Sequence, residues 1–154
     1  MNATISEQLQ KYVGDKETVV RLISSPMGYS ETTGVSPDCF RLFRKNESYI
    51  SIERLSITPI EEIMAGGENI RKWFDEGEFF WGAAFLGVAK IRANPRLFVV
   101  SKYSPTHQGH AGIEMYRNND IIYKTQKDEP TPHEILILQL YLSAIVEKVM
   151  RKPV

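Results

Sequence analysis

An α+β fold, a mostly antiparallel sheet of about six strands packed by a broken middle helix and a long C-terminal helix, is what the sequence predicts. Three observations carry that expectation. Short β-branched and aromatic runs recur with turn-forming residues between them. Two Thr-Pro-x-Glu segments, beginning at Thr58 and Thr131, carry the residue types that start helices. The chain has 154 residues, 42% of them hydrophobic and 25% charged, which suits a single domain over 1–154 that builds its core without staples.

The elements follow in order. Residues 6–13 can form a short helix, and residues 18–23 are rich in β-branched side chains between Gly14 and Pro26, which predicts a first strand. Ser24, Ser25, Pro26, Gly28, Ser30, Gly34, Ser36 and Pro37 crowd the next stretch and make it a loop. Residues 39–44 and 48–55 flank Lys45-Asn46-Glu47 and read as a hairpin. Its alternation puts Phe40, Leu42, Ile50 and Ile52 on a core face and Arg41, Phe43, Tyr49, Ser51 and Glu53 on the other. Thr58, Pro59 and Glu61 form a capping box for a helix that breaks at Gly66-Gly67, resumes through Ile70, Trp73 and Phe74, and ends by Gly77.

Residues 79–91 and 97–100 are apolar runs separated by Asn94-Pro95 and are read as a central hairpin. Gly82 and Gly87 within it imply that another backbone or a helix approaches closely. Residues 110–116 and 121–125 complete the sheet across residues 117–120. The last helix starts with Thr131, Pro132 and Glu134 and is expected to reach about Arg151. Ile135, Leu138, Leu142, Ile145 and Val149 give it one apolar stripe, but Leu136, Ile137, Leu140 and Tyr141 widen that surface beyond what one packing contact needs. A protein partner or a homodimer through this helix would cover the excess.

Composition excludes several functions. Lys plus Arg equals Asp plus Glu at 19 each, so no overall positive field attracts nucleic acid or an anionic membrane. Cys39 is the single cysteine, so an internal disulfide is excluded and a reducing, cytoplasmic location is expected. Residues 1–14 lack the basic start and apolar run of a signal peptide, and no apolar stretch reaches the roughly 20 residues of a membrane span. Neither a dinucleotide-binding glycine pattern nor a phosphate loop is present, and no cofactor is expected.

The segment from Ser104 to His110 is the most suggestive for chemistry, because His107 and His110 lie at the junction of a loop and a strand. Such a pair can serve as acid and base, but a zinc site needs three or four ligands, and Cys39 and His133 have no recognisable spacing to the pair. No metal is therefore expected. The plainer alternative is that His110 is hydrogen-bonded near the core and His107 is a solvated loop residue. Cys39 is a candidate thiol nucleophile only if a histidine meets it in space, and is otherwise a small buried residue. Arg41, Arg44, Lys45 and Arg54 beside Phe43 and Tyr49 make the hairpin locally basic, but the interleaved Glu47 and Glu53 rank nucleic acid below a protein partner.

Two segments, residues 40–52 with Glu47-Ser48-Tyr49-Ile50-Ser51, and Gly87-Val88-Ala89-Lys90-Ile91-Arg92 followed by His110-Ala111-Gly112-Ile113, resemble a family of small bacterial proteins of unassigned function. In that family a proline, a short gap and His-Ala-x-Ile close the domain, and Pro105 to Ile113 is similar with a longer gap. The resemblance implies that the hairpin and His110 face a common site. The reading that follows is a non-catalytic cytoplasmic binding or accessory protein, of the kind that restrains a toxin or defence effector, with Arg41, Tyr49, Ser51, Glu53 and His110 as its binding residues. Its rival is a small hydrolase or nuclease-like enzyme using His107 or His110.

Overall fold

A computed structural model of the chain describes residues 12–42, 47–74, 76–122 and 131–153. Within them the strands are β1 (Thr18–Ser25), β2 (Tyr29–Ser30), β3 (Gly34–Val35), β4 (Ile50–Arg54), β5 (Phe79–Gly87), β6 (Leu97–Ser101), β7 (His110–Arg117), β8 (Asp120–Ile122) and β9 (Lys148–Arg151). The helices are α1 (Ile60–Ala65), α2 (Val88–Arg92) and α3 (His133–Ala144), with 3-10 turns at Pro37–Phe40 and Gly67–Trp73. A seven-stranded sheet runs β6-β7-β4-β1-β5-β9, with β8 paired to β7, and all of its pairings are antiparallel. The fold is α+β, as the sequence predicts.

The sheet is covered on both faces, unequally. On one face Val19, Ile23, Ile50, Ile52, Leu86, Ile113 and Met115 pack with Ile135, Leu138 and Leu142 of α3 and with Phe40. Each such fully buried aliphatic side chain contributes about 1.5–3 kcal/mol. On the opposite face Val20, Phe80, Ala83 and Phe85 pack under Ile63 and Met64 of α1 in a smaller cluster. That cover lies over β1 and β5.

Several expectations are corrected. The hairpin of residues 39–44 with 48–55 does not form: Cys39 and Phe40 end a 3-10 turn begun by Pro37, and β4 pairs with β1 and β7 instead. Phe40 and Leu42 are buried as the alternation required, but they enter the core from a turn rather than a strand. Phe43, Arg44, Lys45 and Asn46, like most of the expected first helix and residues 123–125, lie outside the described residues. β5 and β6 make no central hairpin, because α2 follows β5 at once and carries the chain across to the opposite edge of the sheet.

The last helix stops at Ala144, and residues 148–151 form an edge strand on β5. Val149 and Met150 lie in a stretch with no helix breaker, so only the tertiary option of pairing decides its state. Gly82 makes that pairing fit: a Cβ there would fall 2.1 Å from the Met150 carbonyl oxygen, the close backbone approach its residue type implies. The two capping boxes do not form either. Both helices begin one residue later, with Pro59 and Pro132 at the cap, so neither threonine hydroxyl caps its helix. No helix among the described residues is long and apolar enough to cross a membrane.

Candidate functional site

The site begins where two strands part. β1 and β4 pair only at Val19 with Arg54 and Val20 with Glu53. Past that point the backbone groups of the two strands need other partners. Arg21 supplies one of them and ties the nearby turn to it: Nη1 donates to the Ser51 carbonyl of β4 at 2.9 Å, Nε to the Cys39 carbonyl at 2.8 Å and Nη2 to the Arg41 carbonyl at 3.1 Å. Burial pulls the Arg21 guanidinium below its ordinary value, with nearby Glu47 opposing the fall and Arg41 adding to it, yet an arginine stays cationic.

Over this gap the α1 layer leaves a cavity of about 460 Å³. Val20, Leu22, Ile63 and Ile70 give it apolar walls, while Ser51, Glu53, Thr58, Glu62, Asn69 and His107 supply polar groups. The neighbouring strand brings in His110, because the β4–β7 register places Glu53 opposite His110 and Ser51 opposite Gly112.

Two hydrogen-bonded pairs meet here. Ser51 Oγ and His110 Nε2 are 2.8 Å apart, and His107 Nε2 is paired with Glu53 Oε1. The two imidazoles stack face to face, centroids 4.5 Å apart and planes within 8°. Tyr49 closes the other side of His110, tilted by 59° at 5.7 Å. Gly112 makes room for it, since a Cβ there would fall 2.6 Å from the tyrosine ring. Lys102 sits over the Tyr49 ring at 4.4 Å and reaches Glu114 at 3.4 Å.

Glu53 is the unusual member. Its side chain is 16% exposed, and its Oε2 is buried with no hydrogen-bond partner among the described residues. Burial raises its carboxyl above the usual range, with His107 pulling in the opposite direction. A buried acceptor without a donor either binds a proton or waits for a ligand that brings one.

Of the residues singled out from sequence, Tyr49, Ser51, Glu53, His107 and His110 come together. Arg41 does not join them: its guanidinium pairs with Glu78, and it does not line the cavity. Cys39 is buried in the α3-side core, its thiol pushed up to about 12 by burial, so it is no nucleophile at neutral pH. No group of three or more His, Cys, Asp or Glu among the described residues is placed to hold a metal ion.

Sequence reasoning passes over Arg21, Glu62 and Asn69. Arg21 left a signal, a charge at the position that alternates with Val19 and Ile23 on the core-facing side of a strand. Glu62 and Asn69 left none, because they reach the site only through the packing of α1. No family model, curated protein or solved structure matches the chain.

Proposed function

We propose that the cavity is the working site of a small acid–base enzyme of the hydrolase class, acting on a neutral or positively charged small molecule. The observation that carries this reading is that Ser51, Glu53 and His107 line one cavity of about 460 Å³, within the range of small-ligand sites, with His107 paired to Glu53 and His110 bonded to Ser51 behind it. Such a constellation has the parts of general acid–base catalysis, a proton acceptor beside a hydroxyl and a proton donor beside a carboxyl. The charge of the walls selects the substrate. Glu47, Glu53 and Glu62 line the cavity, and its arginine, Arg21, donates Nε, Nη1 and Nη2 to backbone carbonyls. A phosphodiester would meet carboxylates there, so the nuclease form of the reading loses its support.

The test is a panel of chromogenic esters, amides and glycosides, neutral and cationic, with the protein at micromolar concentration. Turnover of one class, falling at least about 100-fold in His107→Ala at an unchanged melting temperature, is the expected result. Turnover equal in wild type and His107→Ala would sink the proposal.

One observation favours a second reading, the cytoplasmic accessory protein that binds a partner. Leu136, Ile137 and Leu140 on α3 are 39%, 46% and 50% exposed, the apolar excess anticipated from sequence. Sedimentation velocity separates the readings. A dimer that Leu140→Glu converts to monomer favours assembly through α3, whereas a monomer at all concentrations removes the homodimer. The resemblance to the small bacterial family adds to either reading only that the segment 40–52 and His110 face a common site.

A further inference from the structure

We infer that Ser51 is a catalytic nucleophile, with His110 as its base and the His107–Glu53 pair as the acid on the leaving-group side. The inference rests on the hydrolase reading and deepens it. A site using water directly needs no serine hydrogen-bonded to an imidazole, yet Ser51 Oγ lies 2.8 Å from His110 Nε2 and Ser51 lines the cavity. With the His110 proton on Nδ1, Nε2 accepts from the Ser51 hydroxyl, the orientation a base requires.

An imidazole base must also be held in place. The His110 ring packs against His107 at 4.5 Å and Tyr49 at 5.7 Å. Gly112, opposite Ser51 in the β-ladder, leaves the space that the Tyr49 ring fills. His107 has its Nε2 on Glu53, so the two histidines are already divided between two tasks. The Arg21 guanidinium, 2.9 Å from the Ser51 carbonyl oxygen, fixes the backbone of the strand segment that carries the nucleophile.

The reaction is acyl transfer to water. Ser51 Oγ bonds to the carbonyl carbon of an ester as its proton passes to His110 Nε2. The bond from carbon to the leaving oxygen then breaks, and that oxygen takes a proton from the acid pair. Water next adds to the acyl-serine, giving its proton to the acid pair and so restoring it. The Oγ–carbon bond breaks, and Ser51 Oγ recovers its proton from His110. One ester and one water give one acid and one alcohol, with no change of oxidation state.

Diisopropyl fluorophosphate tests this without knowledge of the substrate. It is neutral, and the attacking serine displaces fluoride to leave a stable phosphoryl ester. The expected result is one adduct per full-length chain by intact mass, mapped to Ser51, absent in Ser51→Ala and formed at least about 100-fold more slowly in His110→Gln. Should His110→Gln fold poorly, Ser51→Cys supplies the second measurement. Alkylation of its introduced thiol by iodoacetamide at neutral pH should be about tenfold faster than that of a free cysteine peptide, because His110 stabilises the thiolate. No adduct, an adduct at another serine, or an introduced thiol no more reactive than the peptide overturns the inference. Turnover of the chromogenic panel that depends on His107 without any Ser51 adduct would leave the hydrolase reading standing and remove only the nucleophile.

Discussion

Arg21→Met is the substitution whose consequence follows most directly from the fold. Arg21 is 7% exposed, and its guanidinium donates to three backbone carbonyls at 2.8, 2.9 and 3.1 Å. Methionine keeps much of the side-chain volume and removes every donor. One buried and two partly buried acceptors then lose their partners, at about 1–3 kcal/mol for each that water does not reach. Against that stands relief from burying a cation, a cost of several kcal/mol in an apolar setting. Water entering from the adjoining cavity also satisfies part of the loss at Ser51. A net destabilisation of about 3 kcal/mol results, which for a chain of this size lowers the melting temperature by about 6–12 °C. Thermal unfolding followed by tryptophan fluorescence is the assay, and in urea the midpoint should fall while the slope stays constant. A shift under about 2 °C, less than 1 kcal/mol on the same scale, would refute the argument that Arg21 ties β1 to β4 and to the Pro37–Phe40 turn.

Three further outcomes follow. Glu53→Gln should flatten the pH profile of stability: the folded carboxyl holds its proton above the ordinary value of about 4.3, so the folded state binds more protons in that window and wild-type stability falls as pH rises through it. The variant lacks that fall and should be at least as stable as wild type at pH 7; lower stability with an unchanged slope would contradict it. Cys39 should resist a chromogenic disulfide reagent at pH 8 in the folded protein and react at least about 100-fold faster in denaturant, since a thiol at about 12 is almost wholly protonated there. Gly82→Ala should cost about 1–3 kcal/mol by pushing β9 off β5, read as faster tryptic cleavage after Lys148 and Arg151; equal cleavage rates would show that the close approach is not needed.

What could be read from the sequence was what local chemistry decides. β1 announced itself through its β-branched run, the break between α1 and the following 3-10 turn through Gly66-Gly67, and the β7–β8 turn through Asn118-Asn119, where Asn118 adopts a φ of 56°. Phe40 and Leu42 were legible as core but not as part of a turn, because their apolar character marks them as buried whatever the backbone, and Cys39 beside Phe40 is buried too. Residues 148–151 were misassigned because nothing local forbids helix there and the competing strand edge, on β5, lies far upstream in the chain. The site was legible as two surfaces, Ser51 with Glu53 and His107 with His110. Their union depends on a register between β4 and β7 that neither segment encodes alone.

The position of the cavity has a physical cause in the sheet itself. Had β1 and β4 stayed paired along their full length, the ladder would have filled the place where Arg21 now reaches the Ser51 carbonyl. Parting the strands costs hydrogen bonds, and a buried arginine is an expensive replacement for a ladder. The gain is local: β7 anchors Ser51 and Glu53 on one side, and beyond Glu53, which still pairs with Val20, the other side opens at Ser51 beside a cavity. That arrangement separates two demands on the same residues, since β7 fixes the histidines against them while the gap admits a ligand. Closing the gap tests this account. Continued in the register of Val19 with Arg54 and Val20 with Glu53, the ladder would set Arg21 opposite Ile52. Arg21→Val gives that register a β-branched pair, and if the arginine keeps the ladder open the variant should lose less stability than Arg21→Met. An equal or larger loss would mean that the strands are held apart by the α1 layer and the Pro37–Phe40 turn, not by the arginine.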